Sequence, residues 1–185
     1  MAVRKILRYG DPLLLQRSEE ITVFSNDDSG ELNTLIADME ETMLAHNGAG
    51  LAAPQIGVLK RLVIFGNTVG NEEPVKNSRY PDADDVPYTV LINPEITVLS
   101  QTEQGMWEGC LSVPGMLGFV ERPDHIIYSG YDQFGERIER EVTGFHAIVV
   151  QHECDHLDGV LYPMKLKDPS MFGYNNEIMA SLSQE

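Results

Sequence analysis

The stretch QHECDH, residues 151–156, places two histidines four positions apart, with a glutamate directly after the first. Residues four apart lie on one face of a helix, so His152 and His156 can direct two imidazoles at a single cation. Glu153 would then stand beside the water at that cation, where a hydrolase has its general base. The pattern therefore predicts a metal-dependent hydrolytic site.

The residues around this stretch predict that its helix is buried. FHAIVV (145–150) precedes it and Leu157 follows, so the helix is apolar on most sides. Unpaired polar groups inside a core cost roughly a few kcal/mol each, and a bound metal removes that penalty for the histidines. Thr143 is expected to cap the start of this helix and Gly159 to end it. Cys154 lies about 200° round from both histidines and is expected in the core.

Two histidines do not complete a catalytic metal site, which usually has three protein ligands. The extension H-E-x-x-H-x-x-G-x-x-H keeps Gly159 but has Tyr162 where the third histidine would stand. Glu177 follows at a spacing similar to that of thermolysin-like enzymes, although in a polar tail. Cys110, within EGCLS, offers a soft thiolate, and Gly109 before it lets the backbone come close to a bound group. Position 162, Glu177 and Cys110 are therefore the three alternatives considered for the third ligand.

A second stretch with the composition of a binding site is GAGLAAPQ, residues 48–55. Its residues are small and neutral, so a substrate backbone could approach Ala49 and Gly50 closely. Gln55 ends the stretch with a side-chain amide that can donate hydrogen bonds. An aminopeptidase normally binds its substrate's free ammonium with carboxylates, and this stretch has none. It therefore favours a blocked N-terminus over a free one.

The whole chain of 185 residues has a formal net charge of −16, with 13 lysines and arginines that are scattered along the sequence. Binding to a phosphate backbone needs a basic patch, so nucleic acid is not expected as a partner. Two cysteines fit a reducing cytosol better than a disulfide framework. The first 15 residues lack a long apolar run, so we expect no signal peptide, no membrane span and a cytoplasmic location.

The elements that position these residues predict an α+β fold, in which antiparallel or mixed β-sheets surround a central buried helix that carries H-E-x-x-H. We expect one domain over 1–185, with an exposed insertion loop at 66–88 and a C-terminal tail at 168–185. The apolar periodicities predict a first helix packed outside, capped by Asp28 and Glu31, together with strands, a hairpin and a short last helix. Their ranges are 28–47 for the first helix, 61–65 for a strand, 89–100 for two strands broken at Asn93-Pro94, 125–144 for the hairpin and 175–182 for the last helix.

Three motifs in order resemble the peptide deformylase family: G-x-G-L-A-A-x-Q as GAGLAAPQ, E-G-C-L-S as EGCLS, and Q-H-E-x-D-H as QHECDH. The opening ILRYGDPLLLQRS is also similar to the start of that family. The resemblance extends from about residue 3 to residue 163. H-E-x-x-H alone occurs in many hydrolases, but EGCLS upstream of it does not.

The resemblance implies an enzyme that hydrolyses the formyl group from the N-terminal formyl-methionine of new polypeptides and releases formate, close to the ribosome. It implies one divalent ion, Fe²⁺ natively, with Zn²⁺ or Ni²⁺ able to occupy the site. The roles that it implies are metal ligation by Cys110, His152 and His156, proton transfer by Glu153, and an oxyanion hole from Gln55 and the backbone N–H of Leu111. The tail lacks Lys and Arg, so stable docking on the ribosome does not transfer.

A methionine side chain needs an apolar pocket beside the metal. Phe145, Ile148 and Val149 share the helical face of His152, and with Met106, Ala49, Gly50 and Gly109 they are the candidate pocket residues. Glu108 and Arg122 are expected to pair and hold the Cys110 segment in place. Two rival interpretations remain: an H-E-x-x-H metallopeptidase that cuts internal or unblocked peptide bonds, and a metal-binding protein without catalysis.

Overall fold

The structure, a computed structural model, describes residues 2–24, 30–66 and 86–183. Within these ranges the chain forms an α+β fold of antiparallel sheets and α-helices, as predicted. The helices are α1 (Glu31–Ala45), α2 (Gly144–Leu157) and α3 (Asn175–Leu182). The strands are β1 (Gly50–Ala52), β2 (Leu62–Phe65), β3 (Thr89–Val98), β4 (Glu103–Cys110), β5 (Val113–Pro123), β6 (His125–Tyr131), β7 (Arg137–Thr143) and β8 (Phe172–Tyr174).

The strands form two sheets. One has five strands in the order β1-β2-β3-β6-β7, and the other has three in the order β4-β5-β8. All pairings between these named strands are antiparallel. The predicted hairpin over 125–144 is confirmed as β6 and β7, which pair from His125 opposite Thr143 to Tyr131 opposite Arg137.

Helix α1 confirms most of the prediction for 28–47. Its apolar stripe is buried, including Leu32, Ile36, Met39 and Met43, because these positions recur on one helical face. The helix begins at Glu31 after Gly30, which adopts a left-handed conformation. Asp28, the predicted cap, lies outside the described residues.

Strand β3 corrects the prediction of two strands broken at Asn93-Pro94. It is one strand with a shift of register between Ile92 and Glu95 against β6. Asn93 has a φ of 50° and bonds the backbone of Ile21 through both ends of its amide, at 2.9 and 2.8 Å. The irregularity is therefore a bulge stabilised by a neighbouring segment, and pairing continues on both sides of it.

Helix α2 carries H-E-x-x-H, and 11 of its 14 residues are buried. Its residues pack against strands of both sheets, including β1, β2 and β5. The expected side-chain cap is absent, because Thr143 is the last residue of β7 in extended conformation and its side chain makes no capping bond. Gly159 ends the helix as predicted, with a φ of 74° and an N–H that donates to the carbonyl of His156.

The structure describes only the ends of the predicted loop at 66–88, where Gly66 and Val86 are buried and Pro87 is exposed, so the prediction of an exposed loop stays a prediction. Residues 67–85 lie outside the described residues. In the tail, the predicted last helix is confirmed as α3, and β8 before it adds a strand to β5. Strands β4 and β5 were also missed. No helix in the three described ranges is long and apolar enough to cross a membrane.

Candidate active site

Three side chains from two parts of the chain converge in the interior. Cys110 ends β4, while His152 and His156 stand one turn apart on α2. One ligand atom from each lies within 4.8 Å of those from the other two. The Cys110 Sγ is 3.3 Å from Nε2 of His156, and the two imidazole rings have their centroids 5.3 Å apart. All three residues are buried, so their donor atoms meet in a site with little access for solvent.

The thiol and the imidazoles shift one another's ionisation. Burial opposes ionisation of the Cys110 thiol, but the charges and hydrogen bonds of His156 and His152 outweigh it and hold the pKa of Cys110 well below its usual value. Burial likewise opposes protonation of His152, yet Cys110 and Glu108 raise the pKa of His152 well above its usual value. The site therefore favours a thiolate balanced by nearby positive charge.

Glu108 orients His152 from behind. Its Oε2 lies 2.7 Å from Nδ1 of His152, which leaves the opposite ring nitrogen to face Cys110. Arg122 donates to both Glu108 oxygens, through Nε at 2.5 Å and Nη2 at 2.9 Å, so the predicted pair is present. Burial would raise the pKa of Glu108, but the bonds and charges of His152 and Arg122 lower it to about 2. Glu108 is thus an ionised acceptor that fixes the orientation of the ring.

The support continues through residues that sequence analysis missed. Arg122 also donates from Nη1 to Oδ2 of Asp155 at 2.7 Å, and Lys165 donates to Oδ1 of the same carboxylate at 3.0 Å. Asp155 stands between the two halves of the H-E-x-x-H motif, one position before His156. The position of Asp155 within QHECDH was the only sequence feature that could have indicated these contacts. Lys165 lies ten residues further along the chain, in a segment without a recognisable pattern.

Gln55 lies beside the thiol. Its Nε2 donates to the Cys110 Sγ at 3.3 Å and to the Oγ of Ser112 at 3.1 Å, and its Oε1 accepts from the N–H of Ala52 at 2.8 Å. The N–H of Ser112 lies 3.4 Å from the same Sγ. The amide therefore has a fixed orientation with its donors turned towards the site. Ser112, a fully buried residue in EGCLS, was not among the predicted site residues.

Glu153 is buried against β1. Its Oε2 has no hydrogen-bond partner among the described residues, and neither has Nδ1 of His156. A Cβ built on Gly50 would lie 2.4 Å from Oε1 of Glu153, so only glycine leaves room for this carboxyl. Burial raises the pKa of Glu153 to about 7, against the opposing charges of His152 and His156. A divalent cation nearby would lower that pKa again.

One cavity gathers most of the predicted site residues. It is lined by every predicted substrate-binding residue, by Gln55, Leu111 and Glu153, and by two of the predicted ligands, together with Gly48 and Glu108. The predicted residues in this lining are Ala49, Gly50, Gln55, Met106, Gly109, Cys110, Leu111, Phe145, Ile148, Val149, His152 and Glu153. His156 lies deeper and contacts the thiol.

The alternatives for the third ligand separate clearly. Tyr162 is buried with its ring stacked against His152, at a centroid distance of 6.0 Å. Glu177 is exposed on α3 and is not part of the cluster. Cys154 is buried in the hydrophobic core on the other side of α2, where burial raises the pKa of its thiol. Within the described ranges, Cys110 is the residue that joins the two histidines.

The donor set fits a divalent transition metal. One thiolate and two imidazoles suit Zn²⁺ or Fe²⁺, and three protein ligands leave room for water or substrate. A cation held by these residues would supply the positive charge that balances the thiolate. The unpartnered Glu153 oxygen next to the cluster marks the side on which reacting groups would lie.

The fold and this site define a metal-dependent hydrolase of the H-E-x-x-H type. The family model described as polypeptide deformylase matches residues 3–171. The chain is 51% identical to peptide deformylase 1 of Nitrosomonas europaea, over 95% of this chain and 94% of that protein. It is 52% identical to peptide deformylase 1 of Bordetella pertussis, over 97% of each.

Solved structures agree with the sequence comparisons. The Met-Ala-Ser-bound class I type b peptide deformylase of Acinetobacter baumannii has a TM-score of 0.80 and 35% identity, covering 89% of this chain and 99% of that one. The peptide deformylase of Thermotoga maritima has a TM-score of 0.75 and 33% identity, covering 91% and 100%. The chain belongs to the polypeptide deformylase family. It is an enzyme that removes the formyl group from the N-terminus of nascent polypeptides.

Proposed function

We propose that this chain hydrolyses the formamide of N-formylmethionyl peptides at the cluster of Cys110, His152 and His156, with Glu153 transferring protons. The observation that carries the proposal is the convergence of one thiol and two imidazoles beside a buried carboxyl with an unpartnered oxygen. Three ligands with an adjacent carboxyl are typical of a catalytic site, whereas structural sites usually have four protein ligands.

The proposed ligands would hold one divalent ion, Fe²⁺ in the cell, and Zn²⁺ or Ni²⁺ in some preparations. When bound, such an ion supplies Lewis acidity and makes water at the site acidic enough to react near neutral pH. Glu108 contributes by holding the Nδ1 side of His152, which leaves Nε2 for the ion. Helix α2, buried between the sheets, is the proposed central scaffold because it supplies two ligands and the carboxyl.

Glu153 accepts the proton of the attacking water and passes it to the leaving amine in this proposal. Its carboxyl lies against Gly50 and has one oxygen free to take part. Burial favours the return of the proton, because it raises the pKa of Glu153. The same group can therefore act first as a base and then as an acid.

The developing oxyanion is stabilised in this proposal by the amide of Gln55 and the backbone N–H of Leu111. Gln55 is suited to that role because Ala52 and Ser112 fix its orientation before the substrate arrives. A donor that is already oriented stabilises developing charge without reorganisation. Leu111 follows Cys110 directly, so its N–H is close to the thiol.

The proposed specificity follows from two parts of the cavity lining, one apolar and the other made of small neutral residues. Met106, Phe145, Ile148 and Val149 form the pocket for the methionine side chain. Gly48, Ala49 and Gly50 bring no carboxylate for a free ammonium, so a formylated terminus is preferred. The Acinetobacter baumannii relative was solved bound to Met-Ala-Ser, which supports a ligand that begins with methionine.

The substrate appears during translation, so we propose that the enzyme acts in the cytoplasm near ribosomes. Both cysteines are free thiols, which fits a reducing compartment. Charge does not favour stable docking on ribosomal RNA, because the net charge is −16.

The proposal is tested by measuring formate and free amine released from formyl-Met-Ala-Ser and from Met-Ala-Ser, with protein purified without air and its metal content determined on the same sample. We expect formate from the first peptide and no cleavage of the second. Cleavage of Met-Ala-Ser or of internal bonds would instead favour the metallopeptidase interpretation. Bound metal without any product would favour a binding protein.

A further inference from the structure

A groove leads away from the active-site cavity along the β4–β5 turn. The cavity shares Gly109, Cys110 and Leu111 with a neighbouring depression, which in turn shares His46, Leu111 and Pro114 with a larger one. Leu111 therefore lines all three in succession. The last of them, called the outer groove below, has residues 3–8 of the N-terminal segment as one wall.

This wall is attached directly to the catalytic region. The N–H of Leu7 donates to the carbonyl of Gln55 at 2.8 Å, and the N–H of Tyr9 donates to the carbonyl of Ser112 at 2.7 Å. Arg8 lies between these two anchored residues, so its backbone position is fixed relative to the site. Its side chain is exposed.

The described lining of the outer groove has more basic than acidic side chains. Its lining includes Arg4, Lys5 and Arg8 against one carboxylate, Asp11. Arg4 pairs with the buried Asp38 at 2.7 Å. Lys5 and Arg8 make no ion pair with the described residues, whereas almost all other described lysines and arginines do. With Arg4 paired, Lys5 and Arg8 stand against Asp11 alone in the described lining, so this wall keeps a net positive charge in a chain whose net charge is −16.

The outer groove is within reach of a bound peptide. Ser112 is two residues from Cys110 and bonds Tyr9, which is next to Arg8. With about 3.8 Å between successive Cα atoms and about 5.5 Å across a bonded pair, Arg8 lies at most about 17 Å from Cys110 along this path. An extended peptide covers this distance in about five residues.

We propose that the outer groove selects substrates by charge: Lys5 and Arg8 favour acidic side chains at about the fourth to sixth residue of the formylated polypeptide and disfavour basic ones. This inference rests on the proposed function and adds a determinant beyond the methionine pocket. Two cations are too few for a phosphate backbone, whose binding involves several neutralised phosphates. An unfolded peptide that is already held at its N-terminus needs only one or two such contacts to show a preference.

The test compares kcat/KM for formyl-Met-Ala-Ser-Gly-Glu-Glu, its Lys-Lys counterpart and its Ala-Ala counterpart at low salt. A single pair of charges about 4 Å apart in water changes an equilibrium constant by about fivefold, so the acidic peptide should exceed the basic one by about three- to tenfold. The difference should appear mainly in KM and shrink at high salt. The net charge of the protein alone predicts the opposite order.

The decisive variant is Lys5→Glu/Arg8→Glu, which should reverse the order while leaving formyl-Met-Ala-Ser turnover unchanged. Arg17→Glu/Arg137→Glu is the matched control, because it changes the net charge equally at exposed sites outside the groove. Equal rates for the acidic and basic peptides, or a reversal by the control, would overturn the inference. If the unaltered enzyme did not hydrolyse formyl-Met-Ala-Ser at all, the proposed function itself would be refuted.

Discussion

The carboxylate of Glu108 lies 2.7 Å from Nδ1 of His152, at the back of the cluster of Cys110, His152 and His156. Arg122 lies on the other side of that carboxylate, and only 1% of its side chain is exposed to solvent. The orientation of a proposed ligand on α2 therefore depends on a buried ion pair contributed by the three-stranded sheet. Such a pair is sensitive to the loss of either partner, because the remaining charge has no access to water.

Replacing Arg122 by alanine should weaken both the fold and the metal site. Glu108 and Asp155 would lose their shared donor, and we expect the free energy of unfolding to fall by about 3–5 kcal/mol. Metal affinity should fall by about 10- to 100-fold. Denaturant titration and elemental analysis measure the two effects. Arg137→Ala, which removes an exposed pair with Glu139, should change stability by less than about 1 kcal/mol. Full metal content and rate in Arg122→Ala would contradict the supporting role.

Replacing Glu153 by alanine should separate metal binding from catalysis. Loss of a positioned acid–base group lowers the rate by about 10²–10⁴-fold, while the three ligands remain. The measurement is formate release per bound metal. Retained activity would remove Glu153 from the mechanism, and loss of both metal and activity would leave its role as a base unsupported.

Adding one methyl group at Gly50 should displace the carboxyl of Glu153 while leaving the Glu153 side chain itself chemically unchanged. The new Cβ would overlap Oε1 at 2.4 Å and the Cδ and Cγ atoms at 2.7 Å, so the carboxyl must move. A misplacement of about 1 Å can lower a rate about 10²-fold, and we expect a fall of that order in kcat for Gly50→Ala. Gly173→Ala is the control, since its Cβ would make an ordinary contact of 3.4 Å with Ile178. Equal activity of the two variants would be inconsistent with a catalytic position for the carboxyl.

Removing the amide of Gln55 should slow the chemical step. Loss of one oxyanion donor typically lowers kcat by about 10²–10³-fold, and we expect this for Gln55→Ala, measured per bound metal. Because Gln55 also donates to the Cys110 thiol, metal content must be determined on the same sample. A change in KM alone would assign Gln55 to ground-state binding instead.

His146 should make the fold sensitive to mild acid. Burial, followed by the charge of Arg140, lowers the pKa of His146 from 6.5 to about 4. In the unfolded chain His146 binds a proton below about pH 6.5, whereas in the folded chain it does so only near pH 4. The free energy of unfolding therefore decreases as the pH falls through this window. Between pH 7.5 and 5.0, Tm should fall more for the unaltered protein than for His146→Phe, which keeps a ring beside Phe65 and Tyr128. Equal falls would show that His146 does not contribute.

Local patterns in the sequence determined the helix of His152 and His156, the separation of these residues by one turn, and the last helix at 175–182. These features depend on periodicity, which is a property of neighbouring residues. The pairing of Glu108 with Arg122, which are 14 positions apart, was predicted from their places on either side of the Cys110 segment. Three candidates for the third ligand were weighed on the residues alone, where the soft thiolate of Cys110 and the neighbouring Gly109 favoured Cys110, and the resemblance to a family then implied the same residue.

The tertiary structure decided what depends on contacts between distant residues. It joined Cys110 to His156 across 46 positions, and it brought Ser112, Asp155 and Lys165 into the support of the site. It also paired β8 with β5 and preserved β3 through the bulge at Asn93, because strand pairing is set by partners far away in the chain. The sequence determined which groups could do the chemistry, and the packing of two sheets against one helix decided which of them meet.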